Sequence, residues 1–551
     1  MHGHKSSQEP YPPPGPGSAD APTAAGRWGE ALLVFVVALG VRLLQPNQPP
    51  DFDELYHMLA ARSWLDDGTF AIADGVYSRG AAFTLLVAGF MGVLGESWVV
   101  ARLPSILLGS LWVTVVFLWV RAYAGRTAAV LAALAFAFDP TAVNLSQQVR
   151  FYTLHGIAIW VLAIAVFHVA QRRMGPREAG VLLLGLAAGW LAYDLQVITL
   201  IGVMALGAWL LAYFLWRTFA GTERDPRFAW GAVAVVGGGV LGIAYYALTG
   251  ALVPMVERFA TAPLWAADRQ TDIRWYHEWF RGQYGAFWAL FPLAALAAVH
   301  RFRAPAAFCV VFFGVAFVLH SLSGSKAERY LFWAYPAFVA VWAMAGAVVI
   351  PALFRMGREM VQAALGPRGA TAAAVAMVGV AMAFAAYTTP VNYSVRQMLK
   401  ATDEWRPYPL SDWEAAAPDL RALATEADVV ISGVLPKALY YLDRGDVVLG
   451  ATELADLSPG QALPPEFTND PRFGRPSISR PESLRRLMDD HATGLVILEP
   501  WQWDHECCVT PETSALIRTA MEPIPLDPDW RVMAFRWGSS TSPEPEWHPD
   551  G

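Results

Sequence analysis

Hydrophobic and polar positions along this chain alternate on a long period: extended apolar runs broken by short, arginine-bearing connections. Apolar stretches of roughly 18 to 22 residues, the length a helix needs to cross a bilayer, recur through the first two thirds. They lie at about 28–45, 99–120, 127–145, 151–170, 178–193, 195–216, 228–250, 286–300, 304–322, 330–353 and 370–388. The pattern predicts a polytopic α-helical membrane protein with about eleven transmembrane helices. Residues 83–94 are apolar but too short to cross. They and 54–65, where Leu55, Met58, Leu59 and Leu65 share one face, predict interfacial helices in the first long loop.

Beyond residue 388 the period changes. Residues 411–426 and 481–492 read as helices. Val429–Ile431, Val447–Leu449, Leu495–Leu498 and Val532–Phe535 read as short buried strands. A small α/β domain is expected over 389–551, after a membrane domain at 28–388. Residues 1–27, rich in Pro, Gly, Ser and Ala, predict a disordered cytoplasmic tail.

Composition agrees: 55% of the 551 residues are hydrophobic and only 16% charged, against about a quarter charged in soluble domains. The net charge of -7 hides an asymmetry, since residues 389–551 carry 26 acidic and 14 basic side chains. The membrane body is therefore weakly basic and the tail acidic. No basic stripe supports nucleic-acid binding. Of the three cysteines, Cys309 sits in an apolar span, and Cys507 and Cys508 are neighbours in the tail. Neighbours rarely bridge, so no disulfide framework is expected. No small-residue cleavage site follows the first apolar run, which is expected to remain as an anchor.

Arginines set the sidedness. Arg121 and Arg126, then Arg172, Arg173 and Arg177, then Arg217, Arg224 and Arg227 fall in alternate loops. Arg301 and Arg303, then Arg355, Arg358 and Arg368, continue the series. The positive-inside rule makes these loops cytoplasmic. The loop at 46–98, the segment around Arg150, Asp194, the loops at 251–285 and 323–329, and the tail then share the extracytoplasmic side.

That side collects the chemistry. Asp51-Phe52-Asp53-Glu54 follows the first span. Carboxylates held at a bilayer surface are costly to desolvate and mark function. Asp53 and Glu54 diverge by about 100° on a helix and cannot form one pair. One suits a general base, and an N-cap for the helix beginning near 54 is the alternative. In Ser146-Gln147-Gln148-Val149-Arg150-Phe151-Tyr152, Arg150 and Tyr152 either serve the cleft or belong to the headgroup belt. In Ser325-Lys326-Ala327-Glu328-Arg329-Tyr330, two cations suit a lipid phosphate, against the alternative of a helix anchor.

Together these elements resemble the C-type glycosyltransferase superfamily, in its bacterial branch related to protein O-mannosyltransferases and lipid A aminoarabinose transferases. The matching residues are Asp53-Glu54 with Tyr56, then Ser146, Gln147, Arg150 and Tyr152, then Lys326, Arg329, Tyr330 and Pro336. Ala101-Arg102-Leu103-Pro104-Ser105, opening the second span, agrees too. Arg79-Gly80-Ala81-Ala82-Phe83 departs from the Pro-Leu-Tyr-Tyr-like opening of relatives. The resemblance implies a polyprenyl-phosphate-linked sugar as donor and a hydroxyl-bearing protein, lipid or polysaccharide as acceptor, at a bacterial inner membrane.

In that scheme Asp53 and Glu54 are the catalytic residues, Asp53 taking the acceptor proton, with His57 as the alternative base. Glu54, Tyr56 and His57 shape the acceptor side, and Arg150 and Tyr152 hold the sugar or cleft. Lys326, Arg329 and Tyr330 bind the lipid phosphate. A divalent cation between carboxylate and phosphate is compatible, although no His-rich ligand set demands one. Asp139 reads as a helix-end residue, or else a second cleft carboxylate, and His277 as a surface histidine or part of a gate. The rival class is a lipid-sugar flippase or other transporter. Those place ionisable groups at mid-bilayer, where these spans carry almost none. A sensory module with the tail as its ligand-binding part is the third class.

Overall fold

The computed structural model describes residues 24–220, 225–400, 402, 406, 410–450, 465–503 and 508–538. The expected disordered tail falls mostly outside them, and from Ala24 the chain is helical. α1 (Ala24–Arg42) leads to α2 (Phe52–Asp67), a two-strand hairpin of β1 (Ala71–Ile72) and β2 (Gly75–Val76), and α3 (Ala81–Leu94). There follow α4 (Trp98–Ala137), α5 (Pro140–Ser146), α6 (Tyr152–Ala170), α7 (Pro176–Leu195), α8 (Thr199–Phe219) and α9 (Pro226–Leu248). The wide loop holds α10 (Leu252–Ala260) and α11 (Trp275–Tyr284). The bundle closes with α12 (Ala286–Ala289), α13 (Phe291–Arg301), α14 (Arg303–Leu322), α15 (Glu328–Leu331), α16 (Tyr335–Thr388) and α17 (Pro390–Leu399).

Seven helical stretches among the described residues are long and apolar enough to cross a membrane. The expected crossings map onto fewer continuous helices. α4 carries two of them, divided at Gly125, whose φ of 87° only glycine adopts without strain. α16 likewise carries two, divided at Gly366. The run expected at 286–300 is split into α12 and α13, with Pro292 in the first turn of the latter. Val240, Leu241, Ile243 and Leu248 of α9 are exposed, as lipid-facing side chains must be. The interior is aromatic: Trp112, Trp160 and Trp333 are fully buried, and the Trp160 indole donates to the Trp333 carbonyl at 2.9 Å. Near the Gly125 turn, Arg121 and Arg126 pair with Glu30 at 2.5 and 3.0 Å.

The remaining chain builds a seven-stranded sheet. Its elements are α18 (Trp413–Glu426), β3 (Val429–Ser432), α19 (Leu435–Leu442), β4 (Val447–Leu449), β5 (Thr468–Asn469), β6 (Pro476–Ile478) and α20 (Pro481–Asp490). β7 (Gly494–Leu498), α21 (Pro511–Ala520), β8 (Glu522–Ile524) and β9 (Met533–Trp537) complete it. The order is β5-β6-β4-β3-β7-β9-β8, with the central four strands parallel and both edges antiparallel. Central strands β3, β4 and β7 are buried throughout, which is why they read as continuous apolar runs. All four strands and both helices expected here form. Cys508 is disulfide-bonded, where no disulfide was expected, whereas Cys309 is free and buried.

This sheet unit docks onto the first long loop. Asp74 and Val76 donate backbone N–H groups to the carbonyls of Phe473 and Pro471 at 2.9 and 3.0 Å. Tyr56 of α2 stacks on Tyr77 and Phe473, with centroids 4.9 and 5.4 Å away. The approach is so close that a Cβ on Gly474 would stand 2.5 Å from the Asp74 backbone.

Candidate active site

Where the docked sheet unit, α2 and the bundle meet, they enclose a cavity of about 1980 Å³. One part is polar, with Asp51, Asp53, Arg79, Arg150, Arg329 and Arg472 in its walls. Another is apolar, with Ile201, Met204, Met255, Phe259 and Leu319. Such a space exceeds the few hundred to about 1,000 Å³ of ordinary ligand pockets.

α2 positions the carboxylates. Asp51 caps it, accepting from the Phe52 N–H at 2.8 Å, while Glu54 reaches back to the Asp51 N–H at 3.0 Å, a capping box. Glu54 does more than cap. Its two oxygens take a bidentate pair from Arg102, at 2.9 and 2.7 Å, and the Val149 N–H at 2.8 Å. Arg102 also donates to the carbonyls of Pro46 and Gln48 at 2.8 and 2.7 Å. Both side chains are 3% exposed. Glu54, expected at the chemical step, is thus used up as a clamp joining α1's exit loop, α2, α4 and the segment before Arg150.

Asp53, its neighbour, points the other way, and its side chain is 28% exposed. Arg150 donates to the Asp53 carbonyl at 3.0 Å and places its guanidinium 3.5 Å from a carboxylate oxygen. Burial favours the neutral acid, but the charges of Arg150, Arg329, Arg79 and Arg472 outweigh it and hold Asp53 below the ordinary carboxylate range. Asp51 moves oppositely, pushed up to about 6 by burial and by the Asp53 charge, with Lys437 pulling it down. Two carboxylates two residues apart therefore differ sharply in proton affinity.

The other expected residues divide. Tyr56, Tyr152, Arg329 and Tyr330 line the cavity with Asp53 and Arg150. Arg150 lies over the Tyr152 ring at 5.5 Å, and Arg329 over the Tyr330 ring at 5.4 Å. His57 does not line it. It is buried among Tyr77, Phe83 and Phe151, with Nδ1 2.9 Å from the Thr84 hydroxyl. Burial, then Arg150 and Arg79, drive its pKa well below the usual histidine value. Lys326 is fully buried, and its ammonium donates to the carbonyls of Ser323, Arg269 and Gln270 at 2.5, 2.9 and 3.0 Å. It is not among the cavity-lining residues; it ties the turn before Arg329 to the wide loop.

Asp139 caps α5, accepting from Ala142 N–H at 2.8 Å and from the Tyr284 hydroxyl at 2.6 Å. His277 is exposed and accepts from the Trp288 indole at 2.9 Å. Among the described residues no three His, Cys, Asp or Glu side chains gather as a metal-holding group. Around Asp53 the guanidinium groups of Arg150, Arg329, Arg79 and Arg472 dominate the field, with Asp51 the nearby carboxylate, a positively charged surrounding that is a poor fit for a divalent cation.

Sequence reasoning missed the cations contributed from far away. Arg472, from the sheet unit, is gripped by Asp470 at 2.6 and 3.0 Å and donates to the Tyr56 hydroxyl at 3.0 Å. Lys437 and Glu499 form a buried pair at 2.7 Å in the same wall, where Glu499 also accepts from Ser411, Trp413 and Trp501. Arg79 lay in plain view beside the acidic cluster's loop, and an arginine on the side that lacks them was the available signal.

The profile of the family described as dolichyl-phosphate-mannose-protein mannosyltransferase matches residues 79–236. ArnT from Cupriavidus metallidurans, solved bound to undecaprenyl phosphate, superposes with a TM-score of 0.54 at 17% identity, covering 94% of this chain and 98% of that one. The chain has a C-type glycosyltransferase fold. ArnT in the apo state gives a TM-score of 0.56 at 17% identity, covering 94% and 99%. The archaeal oligosaccharyltransferase AglB from Archaeoglobus fulgidus, in complex with an inhibitory peptide and a dolichol-phosphate, gives 0.52 at 13% identity, covering 86% and 69%. No curated protein matches the chain in sequence.

Proposed function

We propose that this protein is a membrane glycosyltransferase that moves a sugar from a polyprenyl-phosphate-linked donor to a hydroxyl acceptor. The site would face the extracytoplasmic side of a bacterial inner membrane, with residues 28–388 as the catalytic membrane domain and 389–551 as its soluble companion. One observation carries the reading: a cavity-lining carboxylate, Asp53, stands beside Arg150 and within the field of Arg329 in an amphipathic cavity. The matched family's name and the carrier lipids in the similar structures support it. The arginine-rich loops at the far ends of the helices support the sidedness.

The chemistry follows from the charges. A polyprenyl chain occupies the apolar part and sets its phosphate against Arg329 and Arg150. The acceptor oxygen attacks the anomeric carbon as its proton passes to Asp53. The bond from that carbon to the phosphate oxygen breaks, and its electron pair leaves on the polyprenyl phosphate, where the arginines stabilise the added charge. A single displacement inverts the anomeric centre. Asp53 starts as a weak base because four arginines surround it. An incoming phosphate offsets their field and raises its proton affinity when the acceptor is in place. Glu54 and Lys326 act through the segments they hold, Tyr56, Tyr152 and Tyr330 as walls.

The test is transfer from labelled polyprenyl-phosphate sugars by the purified protein in nanodiscs. Asp53→Asn should lower turnover by about two to four orders of magnitude, the range for a lost general base. Unimpaired transfer would remove Asp53 from that role, and translocation without bond cleavage would turn the reading to a flippase.

A further inference from the structure

A second cavity, of about 670 Å³, opens at the other ends of the helices that wall the first. On α6, Tyr152 faces the first cavity and Val169 the second. At about 1.5 Å per residue these positions are roughly 26 Å apart. On α8, Leu200 faces the first and Phe214 the second, roughly 21 Å apart. These separations approach the hydrocarbon thickness of a bilayer, about 30 Å. The second cavity therefore sits at the headgroup level of the leaflet opposite the candidate active site.

Its chemistry is that of a headgroup site. Val169, Leu210, Phe214 and Phe228 supply apolar walls, and Arg172, Arg173 and Arg227 supply cations. Asp225 is the one carboxylate among its lining residues, and Arg227 already holds it at 2.6 Å. Arg172 and Arg173 are exposed. Arg217 lies 4.8 Å over the Phe228 ring, beside the cavity, and its Nε is buried without a hydrogen-bond partner among the described residues. The excess positive charge is thus concentrated in a recess with greasy sides, between helices whose other faces meet lipid.

We infer that this recess binds the phosphate headgroup of an anionic phospholipid from the leaflet opposite the active site. Basic pockets between transmembrane helices recognise such headgroups through charge and shape together. The guanidinium forks of Arg172 and Arg173 suit phosphate oxygens, while the acyl chains follow the apolar walls of α6 and α8. A zwitterionic headgroup offers the same phosphate, but its ammonium would stand among arginines.

The experiment uses the full chain in nanodiscs of phosphatidylcholine, with and without a minority of phosphatidylglycerol, and counts lipids retained by native mass spectrometry. The wild type should retain phosphatidylglycerol selectively. Arg172→Ala/Arg173→Ala should weaken that retention about thirtyfold, from roughly a factor of five per arginine near a membrane surface. Arg355→Ala/Arg358→Ala removes equal charge from the same end outside the recess and should leave retention within a few-fold of wild type. Arg172→Lys/Arg173→Lys should keep most of it. Equal losses in both alanine pairs would reduce the site to a general surface attraction and overturn the proposal. So would absence of any preference for the anionic lipid, or protection by inorganic phosphate alone in phosphatidylcholine discs.

Discussion

Removing either partner of the Glu54–Arg102 clamp should destabilise the protein, and removing both should cost far less. The two side chains are 3% exposed and share a bidentate contact at 2.9 and 2.7 Å. Deleting one partner of a buried pair typically costs about 3–5 kcal/mol, because the other charge is left without compensation. Arg102→Met strands Glu54 with only the Asp51 and Val149 N–H donors. Glu54→Gln strands Arg102 with the carbonyls of Pro46 and Gln48. Combining Arg102→Met with Glu54→Gln removes two desolvated charges together, so the double variant should recover much of the loss, a coupling of roughly 2 kcal/mol or more. The assay is thermal unfolding of the four proteins in nanodiscs, read beside turnover per folded molecule. Both single variants should depress turnover to a similar degree, since each loosens the Val149–Arg150 segment that addresses Asp53. Additive stability effects would refute the clamp. Loss of turnover in Glu54→Gln alone, with stability unchanged, would make Glu54 a catalytic group.

Arg472→Gln removes one of the cations that keep Asp53 ionised, so the acid limb of kcat/KM should move to higher pH, and Arg472→Lys should restore it. An unmoved limb would separate the sheet unit from the chemistry. Lys437→Met should destabilise the sheet unit by about 3–5 kcal/mol, as expected when one partner of a buried pair is lost. Burial alone would raise the Glu499 pKa, but Lys437 and the surrounding donors hold it low. The stability it contributes is therefore present above the ordinary carboxylate value and fades as pH falls through the lower folded value. Thermal melts across acid pH should show that slope in the wild type and lose it in Lys437→Met. Gly474→Ala puts a Cβ into the Asp74 backbone. It should loosen docking, seen as faster release of the sheet unit by limited proteolysis and reduced transfer, with the bundle's melting unchanged.

Much of the fold could be read in the chain because bilayer crossing and strand burial both leave local marks. Apolar run length located the spans, and β3, β4 and β7 announced themselves as uninterrupted Val, Ile and Leu. The breaks at Gly125 and Gly366 were legible as arginine-bearing connections, although the helix runs on at both sides. Asp53 stood out because a carboxylate cluster after a span is unusual. The division of labour between Asp53 and Glu54 was not legible, since it depends on Arg102 arriving from 48 residues away. Lys326 looked like a phosphate ligand until the 269–270 carbonyls closed around it from 57 and 56 residues away. His57 stands one turn after Asp53 on α2, yet its ring enters an aromatic cage, and Leu65, in the last turn of α2, is exposed although it shares a face with buried Leu55 and Met58. Arg472 joins Tyr56 across 416 residues, and no local pattern encodes that.

The most direct measurement mixes purified wild-type protein and Asp53→Asn with a labelled polyprenyl-phosphate sugar and a panel of hydroxyl acceptors, then follows the label and the anomeric configuration of the product. Inverted product from the wild type, with carrier lipid released in equal amount and almost none of either from the variant, is the predicted result. Release of label that does not depend on Asp53, or a product of retained configuration, would contradict the mechanism at its centre.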